Sequence, residues 1–358
     1  MPSLDLSLSS PDLTRVICDI RSVSGEEKTL ADAVFEQVSA LDHLEVYRDG
    51  DTIVARTQLG RAQRVVIAGH IDTVPVNGNV PTRDIEVAGE AYIWGRGTVD
   101  MKAGVAVQLK LAAELTAPRV DVTWMWYDHE EVDADLNGLT RLARSRPGLF
   151  AGDFAILGEP SNGEVEGGCN GNLRAVVRTH GVRAHSARAW IGENAIHKAA
   201  PVLSRLAEYR PQDVAVEGLV YREGLNAVRI RGGVAGNVIP DLCEVEVNYR
   251  FAPSRDVGEA ERHVREVFAG FEVEVVDIAA GARPGLDAPL AQEFLEAVGA
   301  EPRPKYGWTD VARFSALGVP AVNYGPGDPH LAHHDEERVP VAQIEAVEQG
   351  LRAWLTSS

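Results

Sequence analysis

Five short stretches carry most of the residues able to do chemistry. Gly69-His70-Ile71-Asp72-Thr73 closes an apolar run, and side chains two apart on a strand share a face, so His70 and Asp72 point together. An acid beside a metal-bound imidazole fixes its tautomer, yet the same pair is common at strand ends without any metal. Gly95-Arg96-Gly97-Thr98-Val99-Asp100 puts Asp100 in a tight turn ahead of a helix, as a ligand or as an ordinary cap. Asp128-His129-Glu130-Glu131 follows a second apolar run, and its two glutamates enter a cleft or form a solvated turn. Gly158-Glu159-Pro160 closes a third run. Late in the chain, Ala332-His333-His334-Asp335-Glu336-Glu337 adds a histidine pair. Each piece alone is ambiguous, but imidazoles and carboxylates together are the donor set that suits zinc.

What gathers them is the elements they follow. Arg64 to His70, Val120 to Tyr127 and Phe154 to Leu157 read as buried strands, and Ala103 to Ala117 carries apolar residues at helical spacing. Buried strands separated by helices predict an α/β sheet with helices on both faces, whose ligands collect at the carboxyl ends of the strands. The middle of the chain follows another pattern. Strand Leu173 to Thr179, helix Asn194 to Tyr209, strands Ala227 to Val234 and Glu244 to Arg250, helix Asp256 to Ala269 and strand Glu272 to Asp277 make the ferredoxin-like order βαββαβ. A helix-and-strand pattern resumes after Pro284. The expectation is a discontinuous catalytic domain, 1–171 with 283–358, interrupted by an α+β domain at 172–282.

A chain of 358 residues, 45% apolar and 25% charged, accommodates two such domains. No apolar run reaches membrane-spanning length and no basic-then-apolar leader opens the chain, so the expected place is the cytoplasm. Cys18, Cys169 and Cys243 are scattered and odd in number, which suits a reducing compartment and builds neither a disulfide framework nor a CxxC site. No histidine stands at a spacing that would make Cys169 a nucleophile. The net charge of −18 argues against nucleic acid and anionic membranes as partners. It also means that an anionic substrate needs local arginines.

The segments GHIDTVPV, GRGTVDMKAG, DHEEVDADLNG, LGEPSNGEVEGGCNG and LAHHDEERV stand in the order and spacing of the zinc aminoacylase and carboxypeptidase family. The chain resembles that family over essentially its whole length. The resemblance implies a zinc-peptidase-like α/β catalytic domain with an inserted ferredoxin-like α+β dimerisation or lid domain. It implies a homodimer with two Zn²⁺ per subunit, Co²⁺ being a possible substitute. His70 and Glu159 are then ligands of the first zinc, Glu131 and His333 of the second, and Asp100 the bridging carboxylate. Asp72 supports His70, and Glu130 is the general base. The family's H-x-x-[ND]-E pattern aligns with His333, Glu336 and Glu337; Glu336 departs from it, and neighbouring His334 leaves the choice of histidine open. Three carboxylates and a hydroxide would neutralise two such cations, a count that presumes the assignment. His185 is similar to a histidine that reaches into the partner subunit's site. Arg250 resembles a carboxylate-binding arginine, with Asn237, Gly307 and Thr309 as further pocket residues. The activity implied is hydrolysis of an amide in a small acylated amino acid bearing carboxylates, and relatives with other substrates would share every metal ligand.

Overall fold

The strand Arg64–His70 is buried from Val65 onward and lies between Asp121–Tyr127 and Phe154–Leu157, parallel to both. A parallel strand covered on both faces requires such a continuous apolar run. A computed structural model describes residues 4–357 and divides the chain into two units. The first comprises Met1–Gly167, Gly285–Arg303 and Arg313–Ser358; the second comprises Gly168–Pro284 and Pro304–Ala312.

Six neighbouring strands of an eight-stranded sheet run Glu45–Asp49, Thr52–Arg56, Asp121–Tyr127, Arg64–His70, Phe154–Leu157, Ala321–Asn323. The first two strands are antiparallel to their neighbours, and the other four are parallel to one another. The register pairs His70 with Tyr127 and Ala68 with Leu157, so the residues after these strands emerge along one edge. Helix Lys102–Glu114 is buried from Lys102 to Ala112. Its Gly104 packs so close to the strand end that a Cβ there would lie 2.2 Å from the Gly158 carbonyl oxygen. The backbone next to Glu159 therefore rests directly on this helix.

A small antiparallel sheet of Arg83–Val87, Glu90–Trp94 and Arg338–Pro340 pairs Trp94 with Arg338. The loop leaving Trp94 and the loop entering Arg338 consequently start side by side. These are the loops that carry Asp100 and His333, and no sequence pattern announced the pairing.

The second unit holds an antiparallel sheet in the order Gly224–Gly232, Leu242–Phe251, Gly171–His180, Glu272–Ala279. With helices Ala195–Lys198, Ala200–Glu208 and Val257–Val267, this is the ferredoxin-like βαββαβ arrangement. Alternation puts Leu173, Ala175, Val177, Val245, Val247, Tyr249 and Phe251 into the core. Asp256 and Glu259 form a reciprocal capping box on the last helix. The helix expected as one piece from Asn194 to Tyr209 is interrupted at Ala199, just before Pro201, which supplies no backbone donor. The unit begins at Gly168 and ends at Pro284, against the expected 172 and 282, and it also takes in 304–312, which was expected with the flanking halves. Hydrogen bonds explain that capture: Asn170 N donates to Lys305 O at 3.2 Å and Trp308 Nε1 donates to Ala280 O at 3.0 Å. Among the described residues no helix is long and apolar enough to cross a membrane.

Candidate metal centre

His70 ends its strand with its ring almost wholly buried. Its Nδ1 lies 3.1 Å from the Asp72 carbonyl oxygen and 3.5 Å from Asp72 Oδ1, so backbone and carboxylate of Asp72 together orient the ring. The expected partner, the Asp72 carboxylate, does something wider. It accepts from Ser24 Oγ at 2.6 Å, from Glu130 N at 3.0 Å and from Glu131 N at 3.1 Å. One buried acid thus ties the end of the His70 strand to the loop bearing both glutamates. Burial alone would raise the Asp72 value, but the contact with His70 and these donors lower it to about 2.

With Nδ1 engaged, His70 Nε2 faces Asp100 Oδ1 at 3.0 Å. The other oxygen, Oδ2, lies 3.4 Å from His333 Nε2, which also meets Glu131 Oε1 at 2.9 Å. His333 itself is left-handed at φ 64°, a sparsely populated conformation for a side chain of this kind. His334 is turned elsewhere, its Nδ1 accepting from Glu336 N at 3.1 Å. The geometry therefore brings His333, not His334, to Asp100. Donor atoms of His70, Asp100 and Glu131 fall within 4.8 Å of one another. Atoms bound to one tetrahedral zinc through bonds of roughly 2.0–2.1 Å stand about 3.3 Å apart, so these contacts and this donor set fit zinc.

The carboxylates around the two imidazoles favour positive charge on them. Burial disfavours charge on His70, but Asp100, Asp72 and nearby Glu130 outweigh it and raise the value well above the usual one. Asp100 is buried too, yet its hydrogen bonds to His333 and His70 hold it below the usual carboxylate range. Asp100 first, then Glu131, push His333 up to about 10. A raised histidine contributes stability that is complete below its unfolded value of 6.5 and lost as pH rises through the folded value. Chelator-treated protein is thus expected to lose melting temperature as pH rises from 7 to 10, modestly because His333 is half exposed. Melting curves in chelator across that range, identical for wild type and His333→Ala, would reject this.

Glu159 follows its strand end as a buried residue 5% exposed. Glu130 lies between left-handed His129, φ 58°, and Glu131, and its charge acts on His70. His185, Arg250, Asn237, Gly307 and Thr309 all belong to the second unit. His185 is exposed, and its Nδ1 accepts from Ala187 N at 3.1 Å, which leaves the proton on Nε2. Arg250 is half-buried and forms no ion pair among the described residues; its Nε donates to Asn248 Oδ1 at 3.2 Å. Asn248 in turn donates to Asn172 at 2.7 Å, and Asn172 to Asp277 at 3.3 Å. Asn237 lends its carbonyl to Ser186 N at 2.9 Å, Thr309 lends its carbonyl to the Cys169 thiol at 3.8 Å, and Gly307 is exposed.

Sequence reasoning missed Ser24, which no motif marks, and left Arg96 and Glu337 without a role although both stand inside quoted segments. Glu337 is buried and accepts from Val99 N at 2.9 Å and Asp100 N at 3.1 Å.

The sequence profile of peptidase family M20/M25/M40 matches residues 66–357. A succinyl-diaminopimelate desuccinylase of Corynebacterium glutamicum is 47% identical, covering 99% of this chain and 98% of its own length. A Mycobacterium tuberculosis protein provisionally named as the same enzyme is 52% identical, over 98% and 99% of the two chains. The fold is shared with a Staphylococcus aureus tripeptidase at a TM-score of 0.79 and 21% identity, covering 98% of both chains. A metallo-carboxypeptidase of Sulfolobus solfataricus gives a TM-score of 0.76 at 16% identity, over 97% of this chain and 98% of that one. With its strand-end cluster of imidazoles and carboxylates, the chain belongs to peptidase family M20/M25/M40 and is a metal-dependent amide hydrolase.

Proposed function

We propose that this protein hydrolyses the amide bond of N-succinyl-LL-diaminopimelate, releasing succinate and LL-diaminopimelate, a step of diaminopimelate and lysine biosynthesis. The observation that carries the chemistry is Asp100, which offers one oxygen to His70 and the other to His333. The substrate follows the names of the two bacterial relatives, which match nearly the full chain.

Two Zn²⁺ would be held by His70, Asp100 and Glu159, and by Asp100, Glu131 and His333. Two such ions would supply a lowered pKa for a bound water and polarisation of the scissile carbonyl. Glu130 takes the proton from the attacking water at its carboxylate and passes it to the departing nitrogen. The Asp72 carboxylate keeps Glu130 in place by accepting from the Glu130 backbone N–H. His185, protonated at Nε2, donates to the developing oxyanion from the partner subunit.

Arg250 receives a substrate carboxylate, with Asn237, Gly307 and Thr309 lining the same pocket. Its Nε is occupied by Asn248, which leaves both terminal nitrogens for paired hydrogen bonds. Asn248→Asp would give Arg250 an ion-pair partner of its own. KM for the dicarboxylic substrate is expected to rise about tenfold or more, and further than with Asn248→Ala; equal KM values would remove Arg250 from the carboxylate site.

A homodimer fits the outer strand Gly224–Gly232, an open sheet edge with Val228 57% and Ile230 50% exposed. Three buried free thiols suit the cytoplasm.

The test is side-by-side turnover of N-succinyl-diaminopimelate and N-acetylornithine by the zinc-loaded protein. The succinyl substrate is expected to be cleaved faster. Faster cleavage of acetylornithine would reassign the substrate, and turnover of neither would end the deacylase reading.

A further inference from the structure

Asp100 and His333 come from loops far apart in sequence, and something must hold their spacing. Arg96 and Glu337, 4% and 1% exposed at their side chains, meet between those loops at 2.8 Å. Each also grips the other's loop. Glu337 Oε1 accepts from Val99 N and Asp100 N, so the late loop anchors the peptide group of Asp100 itself. Arg96 reaches the opposite way: Nη2 donates to the His333 carbonyl at 3.4 Å and Nη1 to the His334 carbonyl at 3.3 Å. Gly95 N adds a backbone bond to Glu337 O at 3.0 Å, continuing the ladder between Trp94 and Arg338.

We infer that Arg96 and Glu337 form a buried latch that sets the distance between Asp100 and His333, and thereby the affinity of the cation position those two residues share. Neither residue touches a cation or a substrate; both are positioning residues. The arrangement is reciprocal, so loosening either side frees the backbone of a ligand on the other. A guanidinium is suited to this task because its planar fork serves a carboxylate and two carbonyls at once, which an ammonium cannot match. His70 is fixed separately, through the carbonyl and carboxylate of Asp72. The latch therefore governs the His333 side of the centre more than the His70 side.

This inference rests on the two-cation reading, and zinc titration separates the failure of one from the failure of the other. Wild type, Arg96→Lys and Glu337→Gln, each stripped with chelator, are titrated with zinc alone by calorimetry, with stoichiometry checked by elemental analysis. Both variants keep a hydrogen-bonding group in place, and circular dichroism selects those that fold; if one does not, the other decides. Wild type is expected to bind two zinc ions per chain. Each folded variant is expected to bind the ion on the His333 side about 10- to 100-fold more weakly, the usual cost of losing a group that orients a ligand, with a smaller loss on the His70 side, which shares Asp100. Two ions bound with wild-type affinities in a folded variant overturn the latch. Fewer than two ions on the wild type overturn the two-cation reading itself.

Discussion

Glu130→Ala is expected to bind zinc as wild type does while losing about 10²- to 10⁴-fold in turnover, the usual range for a general acid–base group. The contacts linking His70, Asp100, His333 and Glu131 involve no atom of Glu130. The Glu130 backbone N–H donates to Asp72 Oδ1, a contact that substituting its side chain leaves in place. Removing its carboxylate should leave the contacts among His70, Asp100, His333 and Glu131 standing and take away the proposed proton carrier. The loss should fall on kcat, because no role in binding substrate is assigned to this side chain. Glu130→Gln, which keeps the size but cannot accept the proton, should fall as far. Turnover within threefold of wild type would remove Glu130 from the mechanism, and loss of a zinc would make it a ligand instead.

Asp72→Ala should damage stability and metal binding together. Its carboxylate is the acceptor for two backbone N–H groups and the Ser24 hydroxyl. An unsatisfied buried donor costs about 1–3 kcal/mol, so losing the acceptor for the two N–H groups should lower unfolding free energy by roughly 2–6 kcal/mol. The Glu130–Glu131 loop would then be released from the strand that ends in His70. Zinc affinity should fall about 10- to 100-fold. Asp72→Asn retains one acceptor oxygen and should lie between the two. Denaturant unfolding of the metal-free proteins measures the first effect and zinc titration the second. Wild-type values of both in Asp72→Ala would show that this acid is dispensable. Depressed to about 2, its own contribution to stability is complete above the ordinary carboxylate value and lost only as pH falls through that lower figure.

Much of this protein could be read from its residues in order, because the signals involved are local. A strand buried on both faces must be apolar throughout, so Arg64–His70, Asp121–Tyr127 and Phe154–Leu157 declared themselves, and the polar residues after them were bound to gather at one sheet edge. The alternation of Gly171–His180 and Leu242–Phe251 announced the ferredoxin-like layer in the same way. Contacts between distant segments carry no such local signature. The ladder joining Trp94 to Arg338 decides that His333 approaches Asp100, and left-handed backbone at His333, with His334 turned to Glu336, decides between neighbouring histidines. That Asp72 steadies the Glu130–Glu131 loop as well as an imidazole, and that Arg96 meets Glu337, follow from register and packing alone. Periodicity tells which face of an element is buried; only the folded chain tells which polar groups are buried opposite one another.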